Sequence, residues 1–178
     1  PKYTINSQQL DFYSESGIAY LYGKSTIKGE SSIVYCERGY YNTRNDIGYF
    51  VKNSRVDYEN RTMYGDSIYF DRNKNFASAT NNIRLIDTLN NSFISGHYAE
   101  IFKEQDSVFI TKRALAITVR DNDSIYVHAD TLRITGKADN RVLRGYYKAR
   151  LFKKGLPEEE PISGKCDSIY VNEKTGIT

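Results

Sequence analysis

The sequence predicts an all-β, repetitive protein with almost no helix, and three observations carry that prediction. The first is self-similarity. Five copies of one short pattern recur roughly thirty residues apart: Ser31-Ser32-Ile33-Val34-Tyr35, Asp66-Ser67-Ile68-Tyr69, the degenerate Ser95-Gly96-His97-Tyr98-Ala99-Glu100-Ile101, Asp123-Ser124-Ile125-Tyr126 and Asp167-Ser168-Ile169-Tyr170. A fixed period of this kind marks a stacked architecture in which each unit buries its apolar face against its neighbours. The second is composition. The chain holds 16 Tyr and 8 Phe but no Trp, one Met and three Pro, and Tyr, Phe, Ile, Val and Thr suit a pleated, half-buried surface. The third is the lack of helical patterning: no window of about 11 residues combines a 3.6-residue period with caps.

Taken in order, the chain opens strand-like at Pro1-Lys2-Tyr3-Thr4-Ile5, and residues 7–16 are the one stretch compatible with a turn or two of helix. The remainder divides into units 17–46, 47–75, 76–106, 107–140 and 141–178, within a single repeat domain spanning 1–178 or a piece of a longer array. Each unit has two strand-like runs joined by a turn. In the first run, Ile83 and Leu85 alternate with Arg84, and Leu115, Ile117 and Val119 alternate with Ala116 and Thr118. Leu143, Tyr147, Ala149 and Leu151 fall on one face, with Arg144, Lys148 and Arg150 on the other. Period-2 patterning marks a strand with one buried and one wet face. In the second run, Ile68 and Phe70 point one way, Ser67 and Tyr69 the other. Ile94, Tyr98 and Phe102 also fit a helical face, but Ser95-Gly96 and the β-rich context favour a strand.

Asn and Asp cluster where turns are expected: Asn73-Lys74-Asn75, Asn81-Asn82, Asn90-Asn91 and Asp121-Asn122-Asp123. They tolerate positive φ and form Asx-turns, so turns are placed at 58–62, 88–92 and 120–123. Residues 155–161, with Pro157 and Pro161 around three glutamates, read as the one long loop. A second echo supports repetition: Arg38-Gly39-Tyr40-Tyr41-Asn42-Thr43-Arg44 returns as Arg144-Gly145-Tyr146-Tyr147-Lys148-Ala149-Arg150. Its Tyr pairs read as cross-strand packing.

The totals narrow the function classes. With 25 basic and 22 acidic residues the net charge is +3, too mild to argue for nucleic acid. No stretch approaches a transmembrane helix, and the start does not resemble a signal peptide; a mature or trimmed chain is expected. Cys36 and Cys166 lie in the first and last units, too far apart for a bridge in a stacked array. The recurring Ser is no nucleophile, because it lies inside a strand pattern and repeats at equivalent places, as structural residues do and catalytic ones do not. His97 and His128 lack ligand spacing, so no metal is expected. Asp121-Asn122-Asp123 opens like a calcium loop, but Tyr126 and Leu132 stand where that loop needs Gly and Glu. No Gly-rich phosphate loop exists. Neither an enzyme nor a cofactor is expected. One electrostatic feature remains: seven basic residues between Lys137 and Lys154, opposed by Asp139. Arg144, Lys148 and Arg150 form either a solvated face or a contact for an anionic group.

The repeats resemble the OstA/LptA-like family of periplasmic proteins that carry lipopolysaccharide to the outer membrane. Ser124-Ile125-Tyr126-Val127-His128-Ala129-Asp130 matches the first part of the family repeat. Ala79-Thr80-Asn81-Asn82-Ile83-Arg84-Leu85-Ile86-Asp87 matches the second, with Asn81 where Gly is usual, and Tyr22-Gly23-Lys24-Ser25-Thr26-Ile27 is a weaker copy. The similarity covers most of residues 17–140; the Tyr richness and the acidic loop depart from the pattern. It implies a β-jellyroll-like open roll of two facing antiparallel sheets. Acyl chains of lipopolysaccharide would travel in its apolar interior. Candidate groove residues are Ile18, Leu21, Ile33, Ile68, Phe70, Ile83, Leu85, Leu115, Ile117, Ile125 and Leu132. The end strands would add other envelope transport proteins, or further copies head to tail, by strand pairing. The implied location is the periplasm, or the periplasmic part of an outer-membrane protein. Two rival readings stay open: a ligand-free structural or adhesion module, and a carbohydrate-binding jellyroll using Tyr40, Tyr41, Tyr146 and Tyr147.

Overall fold

Runs of Tyr, Ile, Val and Thr between Asn- and Asp-rich turns make strands along nearly the whole chain. A computed structural model describes residues 3–120, 122–137 and 140–172. Eleven strands follow in order: β1 (Thr4–Tyr13), β2 (Ile18–Lys28), β3 (Ser32–Asn42), β4 (Ile47–Tyr58), β5 (Arg61–Asp71), β6 (Phe76–Asp87), β7 (Ser92–Phe102), β8 (Ser107–Arg120), β9 (Asp123–Thr135), β10 (Val142–Lys153) and β11 (Ile162–Asn172). Each pairs antiparallel with its chain neighbours, so the sheet runs from β1 to β11 without a crossover. A 3-10 turn occupies Lys103–Gln105, between β7 and β8. Each predicted unit from residue 17 onward contains one hairpin, beginning with β2–β3 and ending with β10–β11. Residues 7–16 are not helical. They complete β1 and its turn, because Gln9 to Tyr13 pair residue by residue with Tyr22 to Ile18; a short isolated helix cannot compete with such pairing.

Every strand bends at its middle. Two consecutive residues with positive φ sit there on the even strands: Lys52 and Asn53, Asn81 and Asn82, Lys112 and Arg113, Tyr147 and Lys148, with Gly23 taking that place in β2. Each insertion shifts the register against both neighbours; on β4, for example, Val51 pairs with Ser67 but Ser54 with Gly65. Bulges of this kind bend a strand sharply. Side chains brace the corner. Asn53 Nδ2 donates to Glu37 at 2.9 Å, and Asn82 Nδ2 donates to both oxygens of Asp66 at 2.9 and 3.1 Å. The inside of the corner holds small buried residues, among them Ser25, Cys36, Ser54, Ala114, Ala129 and Ala149. Two arms of the sheet can therefore close on one another. The two expected sheets are the two arms of one continuous, folded sheet.

The corner corrects three expectations. Asn81-Asn82 makes a mid-strand bend, not a hairpin turn. Asp66 and Asp167 stand at the corner, whereas Asp123 opens β9 at a hairpin turn, so the three Asp-Ser-Ile-Tyr copies are not equivalent rungs. The two Tyr-Tyr copies are not equivalent, for the same reason, although the first packs across strands as expected. Tyr40 faces outward beside Tyr20 and Tyr49, with ring centroids 6.1 and 6.2 Å away. Tyr41 is buried and donates to Asp46 Oδ1 at 3.0 Å. Tyr147 sits on the bulge at 70% exposure, away from the face shared by Leu143, Ala149 and Leu151. The predicted turns at 58–62 and 88–92 and the loop before β11 are present. Asp121 and Asp139 lie outside the described residues.

The inner faces of the arms carry continuous cross-strand rows. On one arm, Phe50, Ile68, Ala79, Ala99, Ile110, Leu132, Gly145 and Ile169 lie opposite one another in sequence. On the other, Val56, Met63, Leu85, Ile94, Ala116, Val127 and Leu151 do the same. Ala79, Ala99 and Gly145 in the first row and Ala116 in the second leave room among the larger residues for side chains of the facing arm. Residues from both rows form one core cluster. A second cluster at the N-terminal end joins Leu21, Ile27, Cys36, Tyr41 and Phe50. There the Phe50 ring fills the space over Gly48, where a Cβ would come within 2.5 Å of it.

Candidate functional site: an apolar groove between two lips

Folding each strand at its middle sends its two ends to the same side. The hairpin turns therefore form two lips along an open mouth. The turns after β2, β4, β6, β8 and β10 make the first lip; those after β1, β3, β5, β7 and β9 make the second. Backbone bonds join successive turns along each lip. On the second, Thr43 donates to Gly17 (2.8 Å), Arg72 to Asp46 (3.2 Å), Lys103 to Asn75 (2.9 Å) and Gly136 to Asp106 (3.1 Å). On the first, Thr88 donates to Asn60 (3.0 Å) and Val119 to Asn91 (3.0 Å). Buried turn carboxylates tie the loops: Asp87 accepts from the Asn90 N–H at 3.1 Å, and Asp123 from the Gly155 N–H at 2.9 Å.

Between the lips lies a groove of about 280 Å³. Its walls are Val56, Met63, Ile68, Phe70, Leu85, Ile94, Ile101, Val108 and Ile134; its rim carries Arg61, Arg72, Lys103 and Arg141 with Glu30, Asp87 and Asp106. Among the described residues, cations of the second lip reach across the mouth at three places. Arg72 lies 5.5 Å from the centre of the Tyr3 ring. Lys103 Nζ lies 4.6 Å from the centre of the Tyr58 ring. Arg141 pairs with Asp87 at 3.3 Å, both buried, and Arg61 adds a bond to the same carboxylate oxygen at 3.1 Å. The last two contacts each reach a turn three strands further along the opposite lip, as the twist of a sheet demands. Burial pushes the Asp87 carboxyl upward, but two bonds from Asn90 and the Arg61 guanidinium outweigh it and hold the group below the usual range.

The candidate groove residues divide into three sets. Ile68, Phe70 and Leu85 line the groove. Leu21, Ile83 and Leu132 are buried in the core, and Ile125 packs against it. Ile18, Ile33, Leu115 and Ile117 lie on the opposite faces of their strands, correcting the inward orientation expected of them. Ile33 is 39% exposed beside the inward Val34, and Leu115 and Ile117 alternate with the buried Ala114 and Ala116. Val56, Met63, Ile101, Val108 and Ile134 also line the groove, although the repeat pattern does not single them out. The proposed basic trio is also divided. Arg144 stacks on Tyr170 at 5.3 Å, and Lys148 sits on the bulge 3.9 Å from Asp130. Arg150 joins Tyr126, His128, Phe152 and Lys165 around a more open outer hollow of about 510 Å³. Both cysteines are free; Cys36 is buried and Cys166 exposed. Among the described residues no helix is long and apolar enough to cross a membrane.

No protein-family model matches the chain, and no curated protein matches it by sequence. The fold does match solved structures. One is LptH from Pseudomonas aeruginosa, described as the LptA-homologous periplasmic component of the conserved lipopolysaccharide transport device. The superposition has a TM-score of 0.55 at 11% identity, covering 62% of this chain and 82% of that one. A likeness at this identity carries the fold: an LptA-like, all-β open roll.

Proposed function

We propose that the chain is a non-enzymatic lipid-binding module that helps carry lipopolysaccharide across the periplasm to the outer membrane of a Gram-negative cell. The observation that carries this reading is the groove itself: an apolar channel between two arms, rimmed by cations, in a roll similar to a component of a lipopolysaccharide transport device. Acyl chains lie against Ile68, Phe70 and Leu85, and the sugar portion stays outside the lips. The hairpins work as one domain. The unpaired edges of β1 and β11 add envelope partners or further copies end to end. Their apolar rows run out uncovered, with Leu10 and Phe12 at 40% and 54% exposure on β1 and Ile162 at 57% on β11; such edges template strand addition.

A photo-crosslinking amino acid at Phe70 or Leu85 tests the reading when lipopolysaccharide is added. Adducts are expected at both positions and none at Ile117, which faces out of the roll. Labelling at Ile117 alone, or at no position, contradicts it. A carbohydrate site on the tyrosines has less support, because Tyr41 is buried and Tyr147 stands apart on a bulge.

A further inference from the structure

The second lip places a cation in each of four turns: Arg44, Arg72, Lys103 and Arg141. Turns that follow one another on a lip are two strands apart, about 10 Å. Their partners differ in kind. Arg44 donates to the Ser14 carbonyl at 3.0 Å. Arg141 is buried against Asp87. Arg72 and Lys103 instead meet aromatic faces, those of Tyr3 and Tyr58. Glu30 and Asp106 share the rim, yet among the described residues no carboxylate lies within ion-pair distance of either cation. A ring face is a weaker partner for a cation than a phosphate or carboxylate oxygen. An anion arriving at the mouth therefore displaces the ring, whereas at Arg141 it must displace a buried carboxylate.

We infer that Arg72 and Lys103 form an anion-reading pair, which selects amphiphiles carrying a phosphate or carboxylate head while the chain enters the groove beside Ile68 and Phe70. This rests on the lipid-groove reading and deepens it. Selection is coupled to access, because the same head that pairs with Lys103 draws it from Tyr58 and undoes one of the contacts across the mouth. The groove of about 280 Å³ lies near the lower bound of small-molecule pockets. It accepts a single chain as it stands, and a lipid with several chains only after the lips part.

Calorimetric titration of the full chain with dodecyl phosphate, dodecanoate and dodecanol tests the pair. The two anionic probes are expected to bind about tenfold or more tightly than dodecanol. In Arg72→Gln/Lys103→Gln that advantage disappears, so that the charged and uncharged probes bind alike; in Arg72→Lys/Lys103→Arg it is retained. Stronger binding of dodecyl phosphate than dodecanoate assigns a phospholipid-type head, and the reverse order a fatty acid. Equal binding of charged and uncharged probes by the parent chain overturns the inference, as does an advantage that survives the double Gln substitution. Failure of all three probes to bind removes the lipid groove itself, and the pair with it.

Discussion

Asp87 shows how a single carboxylate holds the mouth. It accepts from Asn90 and pairs with Arg61 on its own lip and with the buried Arg141 on the other. Asp87→Asn keeps the shape but leaves a buried guanidinium without its counter-charge, and breaking such a pair costs about 3 kcal/mol. Chemical denaturation of the two proteins at neutral pH measures it. The pH dependence has a defined sign. The folded carboxyl is held below its ordinary value, so its contribution is complete above the unfolded pKa of about 4 and is lost as pH falls through the folded value. Asp87→Asn should flatten that part of the acid limb. Cys36 behaves oppositely: burial pushes its thiol up to about 11, against a weaker lowering by the Arg38 backbone. At pH 8 a maleimide should label the exposed Cys166 and spare Cys36 until the protein is unfolded; equal labelling in the folded state contradicts the placement of Cys36 inside the corner.

The hairpin is the element that period-2 reasoning reaches, and the corner is the element that it misses. The alternation of Ile68 and Phe70 with Ser67 and Tyr69 is read correctly because it lies on one side of a bend. Across the bend the rule changes. On even strands inward residues step by four, as from Ile110 to Ala114; on odd strands they step by three, as from Gly65 to Ile68. Alternation counted from the conspicuous Leu115 therefore points to the wrong face, since the inward positions are the smaller Ala114 and Ala116. Two adjacent residues suited to positive φ, such as Asn81-Asn82, in the middle of a long strand pattern were the available signal. Both variants lose the exposed bonds to Asp66, but Asn82→Gly keeps the left-handed backbone accessible, whereas Asn82→Val forces a β-branched residue into it. The Val variant should be less stable by about 1–3 kcal/mol and the Gly variant close to the parent, as read by denaturant midpoints.

At the scale of the whole molecule, one sheet folded along its midline yields a core at the corner and a groove at the lips. The core is legible in the repeat and in the β-rich composition. The groove is not, because its walls come from rows that cross many strands and its rim from turns far apart in sequence, such as those of Asp87 and Arg141. Phe50 belongs to the core end. Phe50→Ala should cost about 3–5 kcal/mol, since its ring is fully buried over Gly48, and thermal melting reads the loss. The central claim is that lipid enters between the lips. Replacing Tyr58 and Lys103 with Cys, in a background where Cys36 and Cys166 are Ser, allows the mouth to be spanned by a cleavable bis-maleimide. With a photo-crosslinker at Leu85, the account predicts that lipopolysaccharide adducts vanish when the span is in place and return when it is cleaved. Adducts of undiminished yield in the spanned protein would contradict it.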